Sequence, residues 1–153
     1  IHGTSSDKYN SELIGLNGRL DNMQAAVLLE KLTIFDEELE MRNNVNHFYR
    51  KFLNNAQYIP EEYSSAHAIF SITLGSNKKR ELLLDRLNLN SIPNVVYYKY
   101  PIHLMKGFNY LGYANGDFPV SEKLSQTIVS LPMHPYLSEQ NIDLIVATIK
   151  NNE

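Results

Sequence analysis

Residues 15–32 read GLNGRLDNMQAAVLLEKL, and this stretch predicts how the chain begins to fold. Asp21 is suited to cap a helix, because its side chain can accept hydrogen bonds from the first free N–H groups. From here apolar residues recur at the spacing of one helix face, which predicts a connecting helix over residues 20–53. Unbroken, it would be about 50 Å long. Since a small domain does not need that length, we expect the helix either to break near Asn43-Asn44 or to extend to a partner.

Downstream of this helix, strand-like and helix-like patterns alternate. The patterns predict strands at residues 68–74 and 95–98, an extended piece at 130–133, and helices at 77–88, 121–129 and 139–150. Asn77 and Ser138 are the expected caps of the first and last of these helices. This order predicts an α/β domain over residues 54–153, with helices on one face of a small mixed or antiparallel sheet.

The composition excludes several classes of protein. The chain has 153 residues, 43% of them hydrophobic, which suffices for a core of its own. It has no cysteine, so disulfides and thiolate chemistry are excluded, and a reducing cytoplasmic location fits. The net charge is −3 and the basic residues are scattered, so we expect no nucleic acid partner. No apolar run approaches the roughly 20 residues that span a membrane.

Histidines and carboxylates form no recognisable metal or catalytic motif. The five histidines lie far apart in the sequence, so we expect no metal site. The acidic run Asp36-Glu37-Glu38 falls within the long helix pattern, where a solvated helix face explains it better than paired catalytic carboxylates. The sequence also lacks a P-loop, a GxSxG motif and a GxGxxG motif.

The first candidate binding cluster is Gly15-Leu16-Asn17-Gly18-Arg19, which leads directly into the capped helix. The glycines on either side of Asn17 allow the backbone to bend, and Arg19 offers a planar charged group suited to phosphate or carboxylate. An Asn and an Arg beside a helix N-terminus are a plausible pair for binding an anion. By composition alone, a loop that only caps its own helix is the favoured alternative.

The second candidate cluster lies at residues 95–103, where three tyrosines, a lysine and a histidine crowd the end of a predicted strand. In a strand, Tyr97 and Tyr98 face opposite sides, so at least one of them is expected to face a cleft or an interface. A tyrosine offers a flat apolar ring and a hydroxyl, which suit a sugar or a nucleotide. An aromatic corner of the core is the alternative.

Taken in order, these clusters resemble the DegT/StrS-type (DegT/DnrJ/EryC/StrS) nucleotide-sugar aminotransferases. The resemblance covers nearly the whole chain and rests on His2-Gly3 and on three longer stretches. These are IGLNGRLDNMQAAVLLEKL at 14–32, IPNVVYYKYPIHL at 92–104 and FPVSEKLSQTIVSLPMHPYLSEQNI at 118–142.

The resemblance implies the type I aminotransferase fold, with this chain forming the C-terminal portion and its small domain. Residues 1–19 would then continue from a large cofactor-binding domain. It also implies a pyridoxal 5'-phosphate cofactor and a homodimer whose active sites are shared between subunits. Asn17 would reach the cofactor phosphate across the dimer, and Arg19 would face the substrate. Tyr97 and Tyr98 would line the sugar site of the neighbouring subunit.

The implied reaction transfers an amino group from glutamate to a nucleotide-linked keto-sugar, for surface polysaccharide or glycan biosynthesis. In this family the lysine that forms the Schiff base lies before the His-Gly pair, so we expect it upstream of Ile1. No lysine of the chain has the matching context, so we expect the chain alone to be inactive. Two alternatives stay open: a pyridoxal-phosphate-dependent sugar dehydratase of the same fold, and a non-catalytic dimerisation or sugar-binding module.

Overall fold

The computed structural model describes Leu16 and residues 18–56, 59–60 and 62–150, and it divides into two compact units, Ile1–Asp36 and Glu37–Glu153. In the first unit, helix α1 spans Asn22–Thr33. The Asp21 carboxylate accepts hydrogen bonds from the backbone N–H groups of Met23 (2.7 Å) and Gln24 (3.2 Å), which confirms the predicted cap. No residue of α1 is buried within the unit, and its large apolar side chains are exposed.

The predicted long helix is interrupted at Ile34, not near Asn43-Asn44, and helix α2 follows over Phe35–Phe52. The Thr33 hydroxyl donates to the carbonyl of Glu30 (2.7 Å), a side-chain bond that competes with the helical ladder. Ile34 then leaves helical geometry, with φ −112° and ψ 7°. The interruption therefore lies where two β-branched residues adjoin.

The second unit is built on a two-stranded antiparallel sheet of β1 (Phe70–Thr73) and β2 (Ile128–Leu131). Phe70 pairs with Leu131, and Thr73 pairs with Ile128. Three further helices complete the unit: α3 (Asn77–Leu89), α4 (Pro119–Thr127) and α5 (Glu139–Lys150). This arrangement of helices against a small antiparallel sheet confirms the predicted fold class.

The core of this unit lies between the sheet and helices α2, α3 and α5. Its buried side chains are Val45, Tyr49, Leu53, Phe70, Ile72, Leu83, Leu87, Ile92, Val129, Leu131, Ile142, Ile145, Val146 and Ile149. Tyr49 is fully buried, stacks on Phe70 with 4.7 Å between ring centroids, and donates its hydroxyl to the carbonyl of Pro132 (3.0 Å). This bond ties α2 to the segment that follows β2.

The predicted strand at 95–98 is wrong, because only Val95 pairs, in a single bridge with Ser130. In this antiparallel register, Tyr97 would stand opposite Ile128 and Tyr98 opposite Thr127. Thr127 still belongs to α4, so β2 has no residue left to pair with the chain beyond Tyr97. The chain turns away from the sheet there, and residues 102–104 and 106–111 form two short 3₁₀ helices.

Two helix starts differ from the prediction, and one agrees. Ser76, not Asn77, caps α3, since its hydroxyl accepts from the N–H of Lys79 (3.2 Å). Helix α4 begins at Pro119, two residues earlier than predicted, because the fixed φ of proline suits the first helical position. Ser138 caps α5 as predicted, accepting from the N–H of Asn141 (3.3 Å).

The acidic run behaves as a solvated helix face at Asp36 and Glu37 but not at Glu38. The Glu38 side chain is buried and accepts a hydrogen bond from the Tyr136 hydroxyl (2.6 Å). The solvated-face prediction is therefore wrong for Glu38, which joins α2 to a residue 98 positions away.

Candidate functional site

The second unit carries an open groove of about 600 Å³ between the turn after Val95 and the start of α4. One wall is formed by the segment that carries Tyr97 and Tyr98, and a second wall by Phe118 and the first turn of α4. The lining is mainly aromatic and aliphatic: Tyr97, Tyr98, Tyr100, Pro101, Ile102, Asp117, Phe118, Pro119, Val120, Ser121, Leu124, Ser125 and Ile128. The groove therefore offers flat apolar surfaces with hydroxyl groups at its tyrosine wall.

Tyr97 and Tyr98 lie in the same groove, so the prediction that they face opposite sides is wrong. Their ring centroids are 5.4 Å apart, and their planes are tilted by 56°. The prediction assumed a strand, whereas the chain turns at these residues. Both side chains remain accessible, at 41% and 71% exposure, so the alternative of an aromatic core corner does not hold.

The α4 wall is held by the carboxylate of Glu122. This side chain accepts hydrogen bonds from the backbone N–H groups of Gly116 (2.8 Å) and Phe118 (3.2 Å), and from Nε2 of His103 (3.0 Å). Because an ionised carboxylate only accepts, Nε2 of His103 carries the proton in this bond. One carboxylate thus joins a turn, a helix start and a 3₁₀ helix.

The hydrogen bonds to Glu122 also set its ionisation. Partial burial by itself raises the pKa of a carboxyl group, since it disfavours the charged form. The bonds from the N–H groups of Gly116 and Phe118, and from His103, outweigh this effect and hold the pKa of Glu122 below its ordinary value. Glu122 is therefore a stable anion at neutral pH.

Phe118 connects the hydrogen bonds around Glu122 to the groove. Its ring lies 4.7 Å from the His103 ring and 5.1 Å from the Tyr113 ring, centroid to centroid, with an edge-on arrangement toward Tyr113. Phe118 is 43% exposed and lines the groove. Its exposed face is the part of this wall that a ligand would touch.

The candidate residues near α1 are described only in part. Asn17 lies outside the described residues. Arg19 lies in the unit Ile1–Asp36, two residues before the cap residue Asp21, and its side chain is exposed. The bond from Asp21 to the helix fits a loop that caps its own helix, and the anion-binding role of Arg19 stays a prediction.

A model of the DegT/DnrJ/EryC1/StrS aminotransferase family matches residues 1–150. The chain belongs to this family. The resemblance in the sequence is thereby confirmed, and the fold agrees with it.

Three relatives illustrate the similarity of this family member. A DegT/DnrJ/EryC1/StrS aminotransferase from Brucella abortus has a crystal structure with 40% identity and a TM-score of 0.84, covering 98% of this chain and 40% of that one. The Pleiotropic regulatory protein of Geobacillus stearothermophilus is 35% identical, over 97% of this chain and 41% of its own. The UDP-2-acetamido-2-deoxy-3-oxo-D-glucuronate aminotransferase of Pseudomonas aeruginosa is 31% identical, over 94% of this chain and 40% of its own. The chain thus spans about 40% of the length of these relatives.

Family members use pyridoxal phosphate, which they attach through a lysine. Such a lysine must lose its proton to react, and desolvation in a closed pocket favours that loss. Every lysine in the described part of this family member has an exposed side chain. None of the lysines that the structure describes therefore lies in the closed, desolvated setting that favours such a bond.

Two absences hold for the residues that the structure describes. No cluster of three or more histidine and acidic side chains could hold a metal ion there. Likewise, none of the helices in that part of the chain is long and apolar enough to cross a membrane.

Sequence reasoning placed His103 in a candidate cluster without giving it a role, and it missed Phe118 and Glu122 as site residues. The motif YPIH carries His103, and FPVSE carries Phe118 and Glu122, but their 19-residue separation gives no local signal that they meet. A hint was available in FPVSE, because a glutamate just after a helix start often reaches back to the N–H of the cap residue.

Proposed function

We propose that the complete protein transfers an amino group from glutamate to a keto-sugar attached to a nucleotide, with pyridoxal phosphate as its cofactor. Family membership over residues 1–150 carries this proposal. The named activity of the Pseudomonas aeruginosa relative, on a 3-oxo sugar nucleotide, favours this substrate class. When bound, the cofactor supplies the electron sink that lets an amino group leave one substrate and join another.

The groove is the proposed sugar site. Its volume of about 600 Å³ falls within the usual range for small-molecule sites, roughly 300–1,000 Å³. The rings of Tyr97 and Tyr98 offer flat surfaces to a sugar, and their hydroxyls offer donors and acceptors to its hydroxyl groups. Phe118 adds an apolar face to the lining, which would shield part of a bound sugar from water.

The segment before α1 is the proposed site for phosphate groups. Arg19 is permanently charged, and its planar guanidinium suits the oxygens of a nucleotide diphosphate. We assign Asn17 to the cofactor phosphate of the neighbouring subunit, where its amide would donate a hydrogen bond. These assignments make the active enzyme a homodimer in which each subunit completes the other's site.

The proposed assembly also accounts for the exposed helix α1. Within its unit α1 leaves Met23, Val27, Leu28, Leu29 and Leu32 exposed, which is unusual for an isolated helix in water. In the complete protein we assign residues 20–53 to the connection between a large cofactor domain and the small domain of residues 54–153. We further propose a cytoplasmic enzyme whose amino-sugar product enters surface polysaccharide or glycan synthesis.

The direct test is amino transfer by the complete protein supplied with pyridoxal phosphate, glutamate and UDP- or dTDP-linked 3-keto-sugars. The expected result is 2-oxoglutarate formation that requires the nucleotide sugar. Tyr98→Ala should raise the KM for the sugar substrate and leave the KM for glutamate unchanged. Tyr110→Ala is the matched control, because Tyr110 is exposed and lies outside the groove. Formation of 2-oxoglutarate at the same rate without any sugar nucleotide would contradict the proposal.

The phosphate assignments have separate tests. Asn17→Ala should weaken retention of the cofactor by about 1.5–3 kcal/mol, the usual value of a hydrogen bond to a charged group. Arg19→Ala should raise the KM for the nucleotide sugar more than the KM for glutamate. Unchanged cofactor affinity would refute the role of Asn17, and equal rises in both KM values would refute the role of Arg19.

A further inference from the structure

We propose that His103 and Glu122 are positioning residues for sugar binding, and that they act by holding Phe118 in place as a wall of the groove. The proposal rests on the proposed function only in taking the groove as the sugar site. It assigns no contact with the substrate to either residue. Instead it states that the shape of one wall depends on a hydrogen bond behind it.

The first observation is where the hydrophobic core ends. None of the buried aliphatic or aromatic side chains of the core falls between Ile92 and Val129. Yet all of the residues that line the groove, from Tyr97 to Ile128, fall in this interval. Apolar packing into the core therefore does not fix the groove walls, and other contacts must set their positions.

The second observation is that Glu122 supplies such contacts to three segments at once. Its carboxylate binds the N–H groups of Gly116 and Phe118 and the ring of His103. The side chains of His103 and Glu122 are only 8% and 12% exposed, so water competes weakly for this bond. A shielded bond of this kind restrains the segments that it joins.

The third observation is that Phe118 is in direct contact with both Glu122 and His103. Its backbone N–H donates to Glu122, and its ring contacts those of His103 and Tyr113. Phe118 is thus restrained at both its backbone and its ring, while its remaining surface lines the groove. Loss of the His103–Glu122 bond would free the His103 ring, and with it the Phe118 ring that packs against it. Phe118 would then adopt a wider range of positions in the groove wall.

The first test observes the ring itself, in the complete protein with 4-fluorophenylalanine at position 118. Glu122→Gln and His103→Ala should each shift and broaden the ¹⁹F resonance, whereas His103→Gln, which keeps a donor, should restore most of the wild-type line. Glu139→Gln is the matched control, because Glu139 is also a first-turn glutamate of a helix, but it is exposed and lies outside the groove. A wild-type resonance in both Glu122→Gln and His103→Ala would overturn the proposal.

The second test is a double-mutant cycle on the KM for the nucleotide sugar. Glu122→Gln alone should raise this KM by about tenfold, the size expected for the loss of one ordered contact, with a smaller change in kcat. In a Phe118→Ala background the same substitution should change the KM by less than about twofold, because the wall that Glu122 positions is already gone. Equal effects in the two backgrounds would overturn the proposal.

The two tests also separate this proposal from the proposed function. A wild-type protein that does not use nucleotide sugars, but whose ¹⁹F resonance responds as described, would refute the proposed function and support the positioning of Phe118. Normal turnover with an unresponsive resonance would refute the positioning and support the function.

Discussion

Tyr49→Phe removes a single oxygen atom from the centre of the fold, and its effect should change with pH in a predictable way. Tyr49 is fully buried, and its hydroxyl donates to the carbonyl of Pro132 at 3.0 Å. Phenylalanine keeps the stacking on Phe70 but leaves that carbonyl without this donor. At pH 7 we expect a loss of roughly 1–3 kcal/mol in the free energy of unfolding, the cost of a buried polar group without its partner.

At alkaline pH the free energies of unfolding of the wild type and Tyr49→Phe should converge. Burial raises the pKa of Tyr49 far above its ordinary value of 10.0, so the folded protein keeps the proton when the unfolded chain releases it. The stability that this group contributes is complete below its ordinary pKa and declines as the pH rises above it. At about pH 11 the wild type should have lost about 1.4 kcal/mol through Tyr49 alone, and Tyr49→Phe cannot lose it. The two proteins differ only at residue 49, so the difference between their free energies of unfolding isolates Tyr49.

The assay is urea unfolding at several pH values between 7 and 11, followed by far-UV circular dichroism. Tyr110→Phe serves as the control, because Tyr110 is 80% exposed, and its effect should stay within about 0.5 kcal/mol at every pH. A difference between wild type and Tyr49→Phe that stays constant from pH 7 to 11 would refute the reasoning.

Three further substitutions test local features by the same unfolding assay. Ser76→Ala should cost roughly 1 kcal/mol by removing the cap of α3, whereas Ser64→Ala at an exposed position should be nearly neutral. Gly116→Ala should lower the free energy of unfolding by roughly 1–3 kcal/mol, because φ is +101° there even though an added Cβ would meet no atom. Gly107→Ala is the control: its added Cβ would also meet no atom, and without a positive φ it should cost less. Because the pKa of Glu122 lies below its ordinary value, its contribution to the free energy of unfolding is complete above that ordinary value and is lost as the pH falls through the lowered pKa. Glu122→Gln should remove this part of the loss of stability in acid. The same loss of stability in acid with and without the substitution would contradict this assignment.

Features that depend on neighbouring residues could be predicted from the sequence. The caps at Asp21 and Ser138 follow from a short polar side chain before an amphipathic run, and the structure has both. Helix α5 has the predicted bounds, Glu139–Lys150, because its apolar spacing and its cap agree. The sheet region near 68–74 was found for the same reason, although β1 itself is shorter.

Features that depend on distant residues could not be predicted in this way. The run Asp36-Glu37-Glu38 looks uniformly solvated, yet the Tyr136 hydroxyl approaches Glu38 from 98 residues away. The turn at Tyr97 depends on where β2 begins, since a strand ends when its partner has no residue left to pair. Likewise, Tyr97 and Tyr98 could be assigned to one candidate cluster from the sequence, but the predicted faces were wrong, because side-chain direction follows backbone pairing.

Strand β2 explains how a small core and an exposed groove are built from the same few residues. Val129 and Leu131 point into the core, whereas Ile128 lines the groove and Ser130 pairs with Val95, two residues before Tyr97. The strand therefore anchors both walls, one through Val95 and the other through α4, which ends immediately before Ile128. Beyond these anchors the walls leave the core and depend on polar contacts. Substitutions in the core should consequently lower stability and groove integrity together, whereas substitutions at His103 or Glu122 should alter the groove while most of the fold persists.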